Sequence, residues 1–271
     1  MKERRGTRVH ARNELLNLPS RKRSQMSIFI IIGIVLVVLI ILFIVFRAQI
    51  PQKILSTTPE NPQSYMDSCV SNLIQDSIKK ISSQGGYVNP EIYYEFDSVK
   101  RAYICYNANY YYPCVTQEPM YLRRLESEIK KDIGGNVKSC FDNLRKNMEN
   151  KGYTVNLDYR DFNVSLIPGR VVISANVDMT YSKGDESKIK KGFETDVASK
   201  FHDVGVVVQE IASQEAKFCN FEYVGFQMYY PNFNIDKYVT GEDIKIYSVE
   251  DRNTKEKIVF AIRSCVLPPG L

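Results

Sequence analysis

"DFNVSLIPGRVVISANVDMTYS", residues 161–182, alternates apolar and polar side chains on either side of Pro168-Gly169. A side-chain repeat of two is that of a half-buried strand, and Pro-Gly supplies the backbone of a tight turn. The stretch therefore predicts two strands joined through "IPGR", residues 167–170. Just upstream, "YTVNLDY" (153–159) has the same alternation and predicts another strand.

Further upstream the period lengthens. Leu122, Leu125, Ile129, Ile133, Val137, Cys140, Phe141, Leu144 and Met148 form one stripe at helical spacing and predict a long helix over about 119–150. Gly134-Gly135 is a point where it is expected to bend or split, and Gly152 is the expected stop. A shorter helix precedes it, capped by Ser64 or Asp67 and carrying Met66, Cys69, Val70, Leu73, Ile74, Ile78 and Ile81 on one face. Gly85-Gly86 ends it, because glycine accepts the left-handed backbone of a helix terminus.

Downstream of the hairpin, Phe193, Val197, Phe201, Val204, Val208, Ile211 and Ala212 predict a third helix over about 193–217. "FQMYY" (226–230), "EDIKIYSV" (242–249) and "KIVFAIRS" (257–264) predict closing strands, the last two linked by "EDRNTKE" (250–256). Strands that come in runs, rather than alternating with helices, imply an α+β fold: about three helices packed on one face of an antiparallel sheet.

Ahead of this domain stands "KRSQMSIFIIIGIVLVVLIILFIVFRAQ", residues 22–49. Met26 to Phe46 is 21 residues without a charge. At about 1.5 Å per residue a helix of that length spans ~31 Å, close to the ~30 Å of a hydrocarbon core. A secretory leader has a shorter apolar region and a small-x-small cleavage site, whereas this run exits through Phe46-Arg47. The expected organisation is a basic cytoplasmic tail (1–25), a transmembrane helix (26–46), a proline-bearing stalk (47–63) and an extracytoplasmic α+β domain (64–271).

The charge distribution agrees with that order. The tail carries eight basic residues against Glu3 and Glu14, a net +6, while the whole chain carries +5, so the remainder is −1. Arg21-Lys22-Arg23 directly before the span places the tail inside and the C-terminal domain outside. A near-neutral domain does not have the electrostatic footprint of a nucleic-acid binder.

Two resemblances bear on this. "RKRSQMSIFIIIGIV" (21–35) resembles the class III signal of archaeal type IV pilin-like proteins, which implies cleavage at Ser24–Gln25 and assembly into a filament. That family's acidic residue at the fifth mature position is replaced here by Phe29, and Pro51 interrupts the helix early. The single span, the cysteine-bearing helix ending in "QGGY", the long helix with another cysteine and the closing "FAIRS" together resemble a family of exported, membrane-anchored proteins of small-genome archaea of the DPANN type. The second resemblance implies the architecture and names no activity.

All six cysteines, 69, 105, 114, 140, 219 and 265, fall in the part expected outside. An even number confined to that side points to disulfides, and six allow 15 pairings. Cys105 and Cys114 bracket "YNANYYYP" and close a local loop. Cys69 and Cys140 lie on the apolar stripes of two helices and staple them, leaving Cys219 for Cys265. Each bridge adds about 2–4 kcal/mol by restricting the unfolded chain. No CxxC is present and His10 and His202 are the only histidines, so neither a metal nor another cofactor is expected.

No catalytic signature emerges. His202 stands beside Asp203 on a predicted helix, and S-x-x-K at Ser77, Ser127 and Ser187 lacks the companion motifs. Asp158 and Asp161 are expected as turn charges rather than an acid pair for glycoside hydrolysis. The notable chemistry is aromatic: eight tyrosines lie in the 26 residues from Tyr87 to Tyr112. Tyrosine brings amphipathic area at small entropic cost and asparagine adaptable hydrogen bonding. Tyr106, Asn107, Asn109, Tyr110, Tyr111 and Tyr112 are accordingly the candidate surface for a protein or glycan partner; the alternative is that the rings fill space between helices and sheet. Asn163-Val-Ser165 is a lone acceptor sequence for an N-linked glycan inside a predicted strand. The functional expectation is a non-catalytic, membrane-anchored surface protein with a binding or scaffolding domain, or alternatively a pilin-like subunit.

Overall fold

The computed structural model describes residues 30–40, 61–109 and 111–265. The chain divides into two units, 1–56 and 57–271. In the first, residues 30–40 form helix α1, whose isoleucine, valine and leucine side chains are about half exposed. The expected tail lies outside the described residues, as do 26–29 and 41–46 of the expected span and 47–60 of the expected stalk. Among the described residues, no helix is long and apolar enough to cross a membrane.

The second unit is α+β and, among the described residues, holds four helices and nine strands. Helix α2 (Pro62–Ser82) starts two residues before Ser64, because Asn61 is the residue that caps it. The Asn61 Oδ1 accepts from the backbone N–H groups of Gln63 and Ser64 at 3.1 and 3.4 Å, and Pro62 occupies the first turn, where its missing N–H costs nothing. Helix α3 (Tyr121–Glu149) runs unbroken through Gly134-Gly135. The tertiary contact of its apolar stripe outweighs the low helix propensity of the pair.

The hairpin that opened the sequence analysis is present, and it is longer than expected. The two predicted strands at 153–167 are one strand, β4 (Thr154–Ile167), kept continuous by a bulge near Arg160 that restores the alternation after it. It pairs antiparallel with β5 (Arg170–Lys183), with Ile167 opposite Arg170 across the turn. Next, β6 (Glu186–Ala198) completes a three-stranded sheet in the order β4-β5-β6. The expected third helix is therefore too long at its start: 193–198 is strand, and helix α4 covers Phe201–Phe218. Phe193 and Val197 are four apart, a spacing that fits either period. Pairing of β6 with Ala175, Ile173 and Val171 on β5 selects the strand, with Phe193, Thr195 and Val197 inward and Glu194 and Asp196 outward.

The single antiparallel sheet of the expectation is corrected to two sheets. The second contains β1 (Tyr93–Phe96), β2 (Val99–Tyr106), β3 (Val115–Thr116), β7 (Phe233–Val239), β8 (Lys245–Asp251) and β9 (Lys257–Arg263). Its order is β1-β2-β9-β8-β7, with β3 on β2, and the β2–β9 pair is parallel. The tyrosine-rich segment thus supplies two strands, β1 and β2, and Ala102-Tyr103-Ile104-Cys105 of β2 is buried. "FQMYY" is not a strand but most of a short helix, α5 (Tyr223–Tyr229), started by Glu222, whose carboxylate accepts from the Gly225 N–H at 3.3 Å.

Helices α2 and α3 cover the inner face of β4-β5-β6, and α4 packs on β8 and β9. Cys69–Cys140 joins α2 to α3 with Cα atoms 6.2 Å apart. It closes a long loop and restricts the unfolded chain by ~4 kcal/mol. The turn after α2 is closely packed. Gly85 and Gly86 have φ of +68° and +87°, and the fully buried Tyr121 hydroxyl donates to the Gly85 carbonyl at 2.9 Å.

A Cβ on Gly86 would lie 2.3 Å from Leu125 Cδ2 and 2.7 Å from the Tyr121 hydroxyl, whereas one on Gly135 meets nothing within 4 Å. Gly86→Ala is expected to destabilise the protein by about 2 kcal/mol or more, and Gly135→Ala to stabilise it by roughly 0.5–1 kcal/mol, both measured by denaturant unfolding. Equal effects at the two glycines would contradict the packing described here.

Candidate functional site

Strand β2 ends in Tyr106, and the chain then leaves the sheet as a loop that returns at Cys114. Cys105–Cys114 closes this loop, with Cα atoms 5.4 Å apart. Asn107 braces it from inside. Its backbone N–H donates to the Arg263 carbonyl at 3.0 Å, its Oδ1 accepts from the Asn109 N–H at 3.0 Å, and its Nδ2 donates to the Pro113 carbonyl at 2.9 Å. The Asn107–Asn109 bond is the local side-chain-to-backbone turn that asparagine favours.

The six candidate residues separate into different roles. Tyr106 is half-buried, its ring 4.9 Å from that of Tyr103 and with the Arg263 guanidinium 5.9 Å from its centroid. Tyr106 and Asn107 hold the loop. Asn109, Tyr111 and Tyr112 are exposed, with 61% of Tyr111 and 54% of Tyr112 open to solvent and their rings 4.8 Å apart. Tyr110 lies outside the described residues. The alternative that these rings fill space between helices and sheet fits neither Tyr111 nor Tyr112, and Tyr106 packs with Tyr103, Ile244, Ile246 and Ala261 in a small cluster apart from the main core.

The base of the loop is tied to a buried polar network. The Cys114 N–H donates to the Ser264 Oγ at 3.2 Å, and that hydroxyl donates to the Glu215 carbonyl at 3.1 Å. The Glu215 carboxylate is fully buried and accepts from Lys245 Nζ at 2.6 Å and from the Tyr247 hydroxyl at 2.5 Å. Lys245 also donates to the Cys219 carbonyl at 2.5 Å, and Cys219 is bonded to Cys265. Burial, with the Glu215 charge and hydrogen bond added, holds the Tyr247 hydroxyl protonated far above the ordinary phenol range. Burial also lowers the Lys237 ammonium, although Glu215 nearby opposes that effect. The three disulfides thus join the cysteine pairs singled out by the sequence reasoning, and among the described residues no cysteine is free.

Two concavities lie elsewhere on this unit. A cleft of about 290 Å³ is bordered by Tyr87, Glu118, Arg124 and Glu128. These four side chains are paired: Glu118 accepts from Tyr87 at 3.0 Å and from Arg124 at 2.8 Å, and Glu128 accepts from the Val88 N–H at 2.8 Å. A wider groove of about 850 Å³ follows α4 and contains His202, whose Nδ1 is 2.9 Å from Asp203 Oδ1. Burial raises the Asp203 carboxyl, but hydrogen bonds from His202 and Lys200 outweigh it and leave the group below its usual range. Among the described residues, no serine, threonine or cysteine lines this groove beside the His-Asp pair. Asp158 and Asp161 sit on the outer sheet face, paired with Arg160 at 3.4 Å and Lys130 at 2.8 Å. Among the described residues, no group of three His, Cys, Asp or Glu side chains could hold a metal ion.

Sequence reasoning missed the surface of α5. Met228 is 80% and Tyr229 84% exposed, and Tyr230 borders the groove beside α4. The signal was present in the aromatic density of "FQMYY", but it had been assigned to a sheet.

Removing one partner from a buried ion pair leaves the other charged and unsolvated. Glu215→Ala is therefore expected to cost ~3–5 kcal/mol in denaturant unfolding. A loss under about 1 kcal/mol, the level of an exposed ion pair, would contradict the role given to this network. No protein-family model, curated protein or solved structure matches the chain.

Proposed function

We propose that the chain is a membrane-anchored surface protein whose disulfide-bonded α+β domain lies outside the membrane and works by binding or scaffolding rather than catalysis. The observation that carries this reading is the exposed Tyr111–Tyr112 pair on a loop pinned by Cys105–Cys114 and by Asn107. A loop held in one shape loses little entropy on binding, so its aromatic area converts efficiently into affinity. Protein surfaces and glycans both offer flat apolar faces on which tyrosine rings settle, while Asn109 supplies hydrogen bonds at the rim.

The location has separate support. Six cysteines paired in three disulfides belong to an oxidising compartment. The 21 uncharged residues from Met26 to Phe46, with Arg21-Lys22-Arg23 ahead of them, have the length and flanking charge of an anchor with its N-terminus inside. A second reading, the pilin-like subunit, is favoured by "RKRSQMSIFIIIGIV" and its cleavage position at Ser24–Gln25.

The N-terminal sequence and intact mass of the protein from native membranes separate the two. A start at Met1 or Lys2 is expected of the anchor, and a start at Gln25 would replace it with the filament subunit. For the loop, Tyr111→Ser with Tyr112→Ser is expected to leave unfolding within about 0.5 kcal/mol of wild type, as for other surface positions. The same variant, displayed on intact cells, is expected to lose binding to whole cells or isolated envelope at least tenfold. Unfolding by the double substitution would mean that the rings belong to the core and would remove the basis of the recognition surface.

A further inference from the structure

We infer that Asn163 carries an N-linked glycan, an assignment that rests on the extracytoplasmic placement proposed above. Asn163-Val-Ser165 lies in β4, and a strand puts residues i and i+2 on one face. The spacing of the acceptor sequence therefore equals the side-chain repeat of its strand. Asn163 and Ser165 both face solvent, while Val164 between them points inward and is only 8% exposed. Among the described residues, no side-chain hydrogen bond holds Asn163.

The surroundings on that face are also suited to a bulky polar substituent. Across the sheet, Asn163 stands opposite Ser174, and Ser174 opposite Glu194. Around this strip Lys130 is tied to Asp161 at 2.8 Å, Arg170 to Asp196 at 2.9 Å and Arg160 to Asp178 at 2.5 Å. What remains around Asn163 is small and open: its cross-strand neighbour is Ser174, whose hydroxyl lies 3.5 Å from the Glu194 carboxylate. Because β4 is an edge of its sheet, a glycan there would also shield the strand from pairing with another chain.

In the transfer, the Asn163 Nδ2 attacks the anomeric carbon of an oligosaccharide carried on a polyprenyl phosphate or diphosphate. The new bond is N–C, the sugar C–O bond to phosphate breaks, and its electron pair leaves with the lipid phosphate. A base on the transferase takes one amide proton, and nothing is oxidised or reduced.

The test is peptide mass spectrometry of the full-length protein purified from native membranes, with free thiols blocked before reduction so that cysteine status is read in the same sample. The peptide containing Asn163 is expected to carry a mass increment of whole sugars that maps to that residue. Asn163→Gln and Ser165→Ala are expected to lose the increment completely, whereas Ser165→Thr keeps it. Retained disulfides in each variant show that the fold is intact. An unmodified Asn163 in a protein whose six cysteines are all oxidised overturns the glycan and leaves the exported placement standing. Free thiols throughout overturn the placement and the glycan with it.

Discussion

The fully buried carboxylate of Glu215, clamped between the Lys245 ammonium and the Tyr247 hydroxyl, fixes how α4 meets the six-stranded sheet. A charge in that position is tolerable only while its hydrogen bonds are complete, so small displacements of the helix are steeply penalised. The backbone carbonyl of the same residue accepts from the Cys219 N–H and from Ser264, and Ser264 in turn accepts from Cys114. One helical turn therefore secures the left-handed Cys219 cap, the Cys219–Cys265 bond and the base of the tyrosine loop together.

The other half of the unit is held differently. Over β4-β5-β6 the core is apolar, built from the stripes of α2 and α3 against Phe162, Val164, Ile173, Val177 and Phe193, with Cys69–Cys140 bonding the two helices. The outer face of the sheet carries paired charges and small polar groups, as expected of a sheet wetted on one side. The loop closed by Cys105–Cys114 and the outer face of this sheet give the unit two chemically distinct surfaces, one aromatic and one polar.

Much of this was readable from the residues. Alternation around Pro168-Gly169 located the hairpin, and the stripes of α2 and α3 located both helices and the bond between them. Two cysteine pairs were suggested by the stripes of α2 and α3 and by a bracketed loop, and the third by the two cysteines that remained. The candidate site was readable only in part: its closure by Cys105 and Cys114 was visible, but not that Asn107 faces inward to brace it. Phe193 and Val197 went to a helix because a spacing of four satisfies both periods. "FQMYY" was placed in a sheet because its aromatic residues favour strands, whereas the Glu222 cap and the turn that follows made it helical.

By itself, then, the sequence determined what depends on neighbouring residues: turn chemistry, side-chain periodicity, the segregation of charge to the tail and the local loop bracketed by Cys105 and Cys114. These follow from backbone sterics and from the need of each element to bury one face. Tertiary structure decided what depends on distant partners: the parallel pairing of β2 with β9, the split into two sheets, the ion pair between Lys245 and Glu215, and which tyrosines face outward. Those outcomes are set when segments far apart in the chain compete for the same hydrogen bonds and the same buried volume, and no local pattern encodes who wins that competition.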